Sequence, residues 1–130
     1  TVLRHPVTSL DIGATSLALA GGDVKQAGLH GSDITGYMTG QSAEPPHDVL
    51  YWHTGRGPDD VTGVLREGDY KMIAKRGRVE LFNIKDDPTE STDLASIQPR
   101  RAMRMLAQWK RWNESNKPPL WNVSRKGRNT

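Results

Sequence analysis

Arg66-Glu67-Gly68-Asp69-Tyr70-Lys71, followed by Glu80-Leu81-Phe82-Asn83-Ile84-Lys85-Asp86-Asp87-Pro88-Thr89-Glu90 and then Asp93-Leu94-Ala95, decides how the chain folds. Short apolar runs meet at a Gly-Asp turn, an acidic Asp-Pro turn follows, and Asp93-Leu94-Ala95 reads as the start of a helix. Working outward, short strands are expected at about 48–53, 63–67, 70–75 and 79–84. The second and third join around Gly68-Asp69, the third and fourth around Arg76-Gly77, both tight-turn chemistry. Consecutive hairpins make an antiparallel meander. Alternation places Tyr70, Met72 and Ala74 on one face and Lys71, Ile73 and Lys75 on the other. Residues 54–62 read as a loop between the first two strands.

Pro99 can open a helix. From there to about Asn116, Ala102, Met105, Leu106, Trp109 and Trp112 share one face, while Arg101, Arg104, Gln108 and Arg111 take the other. Pro118-Pro119 ends it. Upstream, Ser9 or Asp11 can cap a first helix bearing Leu10, Ile12, Leu17 and Leu19, stopped by Gly21-Gly22. A short helical turn with Ile34, Tyr37 and Met38 on one face comes next, then a polar loop over 41–47. The expected fold class is α+β: a four-stranded antiparallel sheet packed against a long C-terminal amphipathic helix, with an N-terminal helix. The chain reads as one subdomain over 1–130. Its N-terminal helix and connecting loops occupy 1–47, the strands 48–84, the turn and C-terminal helix 85–121, and a basic tail 122–130.

With 130 residues, 35% hydrophobic and 25% charged, the chain can bury a modest core. The absence of Cys removes disulfides, thiolate metal sites and Cys nucleophiles together. No apolar run approaches the ~20 residues of a membrane span. The first residue is Thr1, so the chain is expected to start inside a longer gene product, and the missing signal peptide is uninformative. Charge is unevenly spread. Residues 100–130 carry nine Lys or Arg against Glu114 alone, whereas residues 1–99 are net acidic. A basic end can attract polyanions, or its cations can line the exposed face and C-terminal end of a helix. No basic-aromatic interleave of an RNA-binding strand is present, so nucleic acid is not expected.

The order of these segments closely resembles the C-terminal part of the sulfatases, in the alkaline-phosphatase-like superfamily. That family carries an Arg-x-Gly-x-x-Lys hairpin, a Glu-Leu-Tyr-Asp-Leu-like strand, an Asp-Pro-x-Glu turn and an Asn-Leu-Ala-like helix start. Residues 9–21 resemble its Ser-x-Asp-x-x-Pro-Thr-Leu-x-x-x-Ala-Gly segment, with Ala14 where Pro is usual. Residues 29–40 resemble its Gly-x-Ser/Asp-Leu-x-x-Leu-Leu-x-Gly segment. The resemblance spans roughly 5–121. It implies a smaller subdomain beside a large α/β catalytic domain, with loops at the rim of the substrate cleft. It also implies a parent enzyme that hydrolyses a sulfate ester, on a sulfated saccharide, in the periplasm, outside the cell or in the lysosome. The catalytic domain would be this chain's partner. An isolated piece would self-associate through the face that domain covers.

The chemistry implied for the parent, a formylglycine made in a Cys/Ser-x-Pro-x-Arg motif beside calcium, is expected in the catalytic domain and not here. Ser96-Ile97-Gln98-Pro99-Arg100 has its Pro one place too late. Asp59-Asp60 and Asp86-Asp87 read as turn residues rather than calcium ligands. His5, His30, His47 and His53 show no metal spacing, so no catalytic or metal residue is assigned. Asn113-Glu114-Ser115 and Asn122-Val123-Ser124 match the short glycosylation sequon. For contact at the cleft rim, His47, Trp52, His53 and Arg56 are the candidates. His and Arg can pair with sulfate or hydroxyls, and Trp can stack on a sugar face. Arg66 and Lys71 read as partners of Glu67, Asp69 or Glu80 across strands. Two rival readings stand beside this one: a stand-alone polyanion-binding module using the basic helix and tail, and part of a related phosphodiesterase or phosphonate hydrolase.

Overall fold

The computed structural model describes residues 5–55 and 61–116. The chain divides into two compact units, Thr1–Asp48 and Val49–Thr130. The first holds helix α1 (Leu10–Leu19) and a single helical turn, α2 (Thr35–Met38). Ser9 stands at the N-cap but makes no side-chain cap. Asp11, inside the first turn, instead accepts the N–H of Thr8 at 2.7 Å. The helix buries Asp11 and Ala14, not its large apolar residues. Leu10, Ile12 and Leu19 are 58%, 68% and 71% exposed. In α2 Tyr37 is buried, and its hydroxyl accepts the His5 N–H at 2.8 Å. Met38, expected on the same face, is exposed.

The second unit is the expected meander: β1 (Val49–Thr54), β2 (Thr62–Glu67), β3 (Tyr70–Lys75) and β4 (Arg78–Asn83), antiparallel and in that spatial order. Gly68 takes φ 56 at the β2–β3 turn, and Arg76 and Gly77 take φ 51 and 79 at the β3–β4 turn. Central turn residues of positive φ match the twist of the flanking strands. Arg76 adopts this conformation despite its Cβ, at a cost of roughly 1 kcal/mol.

The register aligns Tyr51, Leu65, Met72 and Leu81 in one cross-strand row. Helix α3 (Pro99–Glu114) lies over that row, burying Ala102, Met105 and Trp109 against Leu65, Met72 and Leu81. Each large side chain so buried stabilises the fold by about 1.5–3 kcal/mol. Trp109 covers Gly63, where an added Cβ would lie 2.4 Å from the indole. Its N–H donates to the Trp52 carbonyl at 2.9 Å. The Trp112 ring stacks on Tyr51 at 5.0 Å. Gln108, expected on the solvent face, donates to the Tyr51 hydroxyl at 3.1 Å. Arg101 sits 3.7 Å over the Tyr70 ring, and Arg104 bonds Glu67 at 3.0 Å.

Asp93-Leu94-Ala95 does not begin a helix. The Leu94 N–H donates to the Leu81 carbonyl at 2.7 Å, and the Leu81 N–H donates to the Asp93 carboxylate at 3.1 Å. The segment therefore satisfies the outer edge of β4, and α3 starts later, at Pro99. Before it, the Asp-Pro turn closes on Asp87. That carboxylate accepts the Thr92 N–H at 2.8 Å and the hydroxyls of Thr89 and Ser91 at 2.9 and 3.0 Å. The backbone N–H groups of Thr92 and Ser91 chiefly hold its pKa down, from an ordinary 3.8 to about 2.

Two outcomes follow from this packing. Trp109→Ala should cost about 3–5 kcal/mol in urea unfolding, and Gly63→Ala, which overpacks the same contact, about 1–3 kcal/mol. A loss below about 1 kcal/mol for Trp109→Ala would mean that α3 docks by another face. The second outcome concerns acid. A carboxyl whose pKa is depressed by folding stabilises the fold above its unfolded pKa and stops doing so as pH falls through its folded value. The Asp87 contribution should therefore disappear between an ordinary 3.8 and about 2. Asp87→Asn should flatten that part of the stability–pH curve, as followed by thermal unfolding.

Candidate functional site

Strand alternation decides where the candidate residues go. Trp52 pairs with Val64 and shares its face with Ile73 and Glu80. His53 pairs with Gly63 and so lies on the α3 side. There its Nδ1–H donates to Asn113 Oδ1 at 2.6 Å, and its ring lies 6.1 Å from that of Trp109. The two neighbours in sequence thus serve opposite faces of the sheet, and the structure does not bring them together.

His47 belongs to the first unit. Its Nε2–H donates to the Asp11 carboxylate, 2.9 and 2.8 Å from the two oxygens. The N–H groups of Thr8 and Ser32 donate to the same carboxylate at 2.7 and 2.9 Å. Burial pushes the Asp11 pKa up, but the bonds from Thr8, Ser32 and His47 together outweigh it and leave it below the usual value. A carboxylate sealed from solvent and ringed by donors ties α1 to the segments at Ser32 and His47; that is a structural task. Arg56 lies outside the described residues.

Around Trp52 the face of the sheet opposite α3, on which Leu50 and Phe82 are buried, forms a groove of about 560 Å³. Trp52, Thr54, Val64, Arg66, Lys71, Ile84, Pro88 and Glu90 line it. The register sets Arg66 directly opposite Lys71. Like charges so placed repel, and each needs an anion. Lys71 finds one: its Nζ lies 2.5 Å from Glu90 Oε1. Glu90 reaches it from a left-handed backbone at φ 56, held there by the Asp87 turn. The strain, of order 1 kcal/mol, is thus offset by the turn's own hydrogen bonds.

The acids near Arg66 in sequence are all engaged elsewhere. Glu67 takes Arg104, which holds its carboxyl below the usual range. Asp69 is 4.0 Å from Lys85, and Glu80 is 3.2 Å from Arg78. The pairing expected for Arg66 and Lys71 is therefore corrected: Lys71 pairs with Glu90. Among the described residues Arg66 has no carboxylate partner; its Nε–H donates to the Gly68 carbonyl at 3.3 Å. The groove thus offers an exposed indole beside a guanidinium with donors to spare. An indole stacks on apolar ring faces, and a guanidinium takes a planar or tetrahedral oxyanion in its fork. Glu90, Ile84 and Pro88 are groove residues that the sequence did not single out; the Asp87-Pro88-Thr89-Glu90 turn that delivers Pro88 and Glu90 was the visible signal for those two.

Among the described residues no three His, Asp or Glu side chains are grouped to hold a metal ion, and no helix is long and apolar enough to cross a membrane. Asp86 accepts from Asn83 at 2.6 Å, and Asp87 is spent on its turn.

No protein-family model matches the chain, and no curated protein sequence matches it. Solved structures do. Ps i-CgsB, a carrageenan sulfatase, is 25% identical over 95% of this chain with a TM-score of 0.79, both alone and in complex with k-i-k-neocarrahexaose. A candidate sulfatase, yidJ from Bacteroides fragilis, shares the fold at 20% identity, with a TM-score of 0.65 over 80% of this chain. This chain spans 28% of the length of Ps i-CgsB and 24% of that of yidJ. The motif series and the fold therefore point the same way: the chain is a sulfatase-like domain.

Proposed function

We propose that this chain is the C-terminal part of a sulfuric ester hydrolase, where it supports the catalytic domain and forms part of the substrate-cleft rim without performing the chemistry. The carrying observation is the asymmetric match: 95% of this chain fits onto 28% of Ps i-CgsB. Among the described residues none is arranged to hold the formylglycine or calcium that the resemblance implies, and Asp59-Asp60 lie outside them. Ser96-Ile97-Gln98-Pro99-Arg100 misplaces its Pro, and the Asp86-Asp87 carboxylates are engaged in their own turn. Both groups would belong to the remainder of the parent. The complex of Ps i-CgsB with a neocarrahexaose supports a sulfated galactan as the substrate class. Trp52 is the rim candidate best placed for it, exposed at 40% on the face opposite α3.

The names of the structural neighbours favour sulfate over phosphate esters. The polyanion-module reading loses ground because Arg101 and Arg104 of α3 are committed to Tyr70 and Glu67. The purified chain should not turn over an aryl sulfate with or without calcium, whereas the whole gene product should release sulfate from a sulfated galactan oligosaccharide. Turnover by the chain alone, abolished by one substitution in it, would overturn the proposal.

The outer face of α1 supplies a second test. Ile12 and Leu19, seven residues apart and so on one side of α1, form an exposed apolar face that a catalytic domain would cover, and Leu10 is exposed on another side. The chain alone should self-associate at micromolar concentration in sedimentation, and Ile12→Glu with Leu19→Glu should return it to monomer. A wild-type monomer at every concentration would count against a covered face there.

A further inference from the structure

We propose that the Trp52–Arg66 groove is a subsite for an anionic pyranose, with Arg66 gripping a ring sulfate and Trp52 lying against the sugar face. Only the choice of sulfate over another ring anion rests on the proposed function; the binding does not. The register creates the need. Arg66 and Lys71 face each other across β2 and β3, and Glu90 answers Lys71 alone. Glu67, Asp69 and Glu80, the acids nearest in sequence, are held by Arg104, Lys85 and Arg78. One guanidinium therefore lines the groove without an internal counter-charge among the described residues.

A bound oxyanion would supply that charge and meet the guanidinium through two parallel N–H donors. The volume of about 560 Å³ lies within the ~300–1,000 Å³ typical of small-ligand sites. The Lys71–Glu90 pair and the Thr54 hydroxyl add donors and acceptors for ring hydroxyls. Trp52 with its cross-strand partner Val64, and Ile84 from beyond the end of β4, add the apolar surface. A nucleic acid strand fits less well, since backbone neutralisation calls for several unpaired cations in a row and the groove provides one.

The test uses the full 130-residue chain. Its ligands are a sulfated galactan hexasaccharide, the desulfated hexasaccharide and an oligogalacturonate, followed by calorimetry and by the Trp52 indole N–H resonance. The sulfated ligand should bind and shift that resonance. Arg66→Gln should weaken it roughly tenfold, the worth of a charge-assisted hydrogen bond. Arg66→Lys, which keeps the charge but not the fork, should recover part of the loss, and Trp52→Ala should also weaken binding. Arg111→Gln, which removes one charge from the exposed side of α3, should change nothing.

Equal binding of the desulfated ligand would overturn the anion site, and equal binding of the oligogalacturonate would overturn the choice of sulfate. Binding insensitive to Arg66→Gln, or lost only when Arg125, Lys126 and Arg128 are neutralised, would place it elsewhere and overturn the subsite. The melting temperature of each variant separates unfolding from lost contact. The sulfatase reading is tested separately, by sulfate release from the whole gene product, so either can fail alone.

Discussion

The indole of Trp109, laid over Gly63 and bonded to the Trp52 carbonyl, is the contact on which the second unit depends. The absence of a Cβ at Gly63 lets a large ring approach the sheet backbone. The ring in turn fixes the height and rotation of α3, so that Met105 and Ala102 meet Met72, Leu65 and Leu81. Its hydrogen bond ends on β1, an outer strand of the sheet. The same bond that docks the helix therefore steadies the backbone of Trp52, whose side chain faces the other way. Core and groove are two sides of one strand.

Much of this was legible in the sequence because the signals were local. Gly68 and the Arg76-Gly77 pair name their own turns, the β3 residues alternate visibly, and Pro99 with its apolar stripe announces α3. What escaped was set by partners distant in sequence. Asp93-Leu94-Ala95 has the composition of a helix start, but a free edge of β4 claims its backbone. In α1 Leu10, Ile12 and Leu19 are exposed, as expected of a piece whose covering domain is absent. The inward side of that helix was not legible: it presents Asp11 and Ala14, because one carboxylate gathers the donors of Thr8, Ser32 and His47. Trp52 and His53 were grouped by adjacency, although alternation already assigns adjacent strand residues to opposite faces.

The same distinction governs the charges. By proximity in sequence, Arg66 and Lys71 would be neutralised by Glu67, Asp69 or Glu80. Folding hands Glu67 to Arg104, 37 positions away, and brings Glu90 to Lys71 from 19 positions away. Exposed pairs of this kind contribute little stability each, about 0–1 kcal/mol. Their consequence is the distribution of charge that they leave behind. On the α3 side Arg101 and Arg104 are matched by an aromatic face and a carboxylate; on the opposite face, among the described residues, the Arg66 guanidinium has no carboxylate partner.

In the role proposed for this chain, that asymmetry is how a part given no nucleophile or metal ligand would still bear on catalysis. An enzyme acting on a polymer gains rate by fixing the chain on either side of the reacting bond, since binding far from the chemistry can be used to orient the reacting centre. A sheet face stiffened by α3 behind it is a better platform for such contacts than a loop, because its side chains are placed by strand register. The Asp87 turn extends that placement to Glu90. It accepts a strained backbone at one residue so that a carboxylate reaches Lys71, which leaves Arg66 the member of the cross-strand pair still open to an external oxyanion.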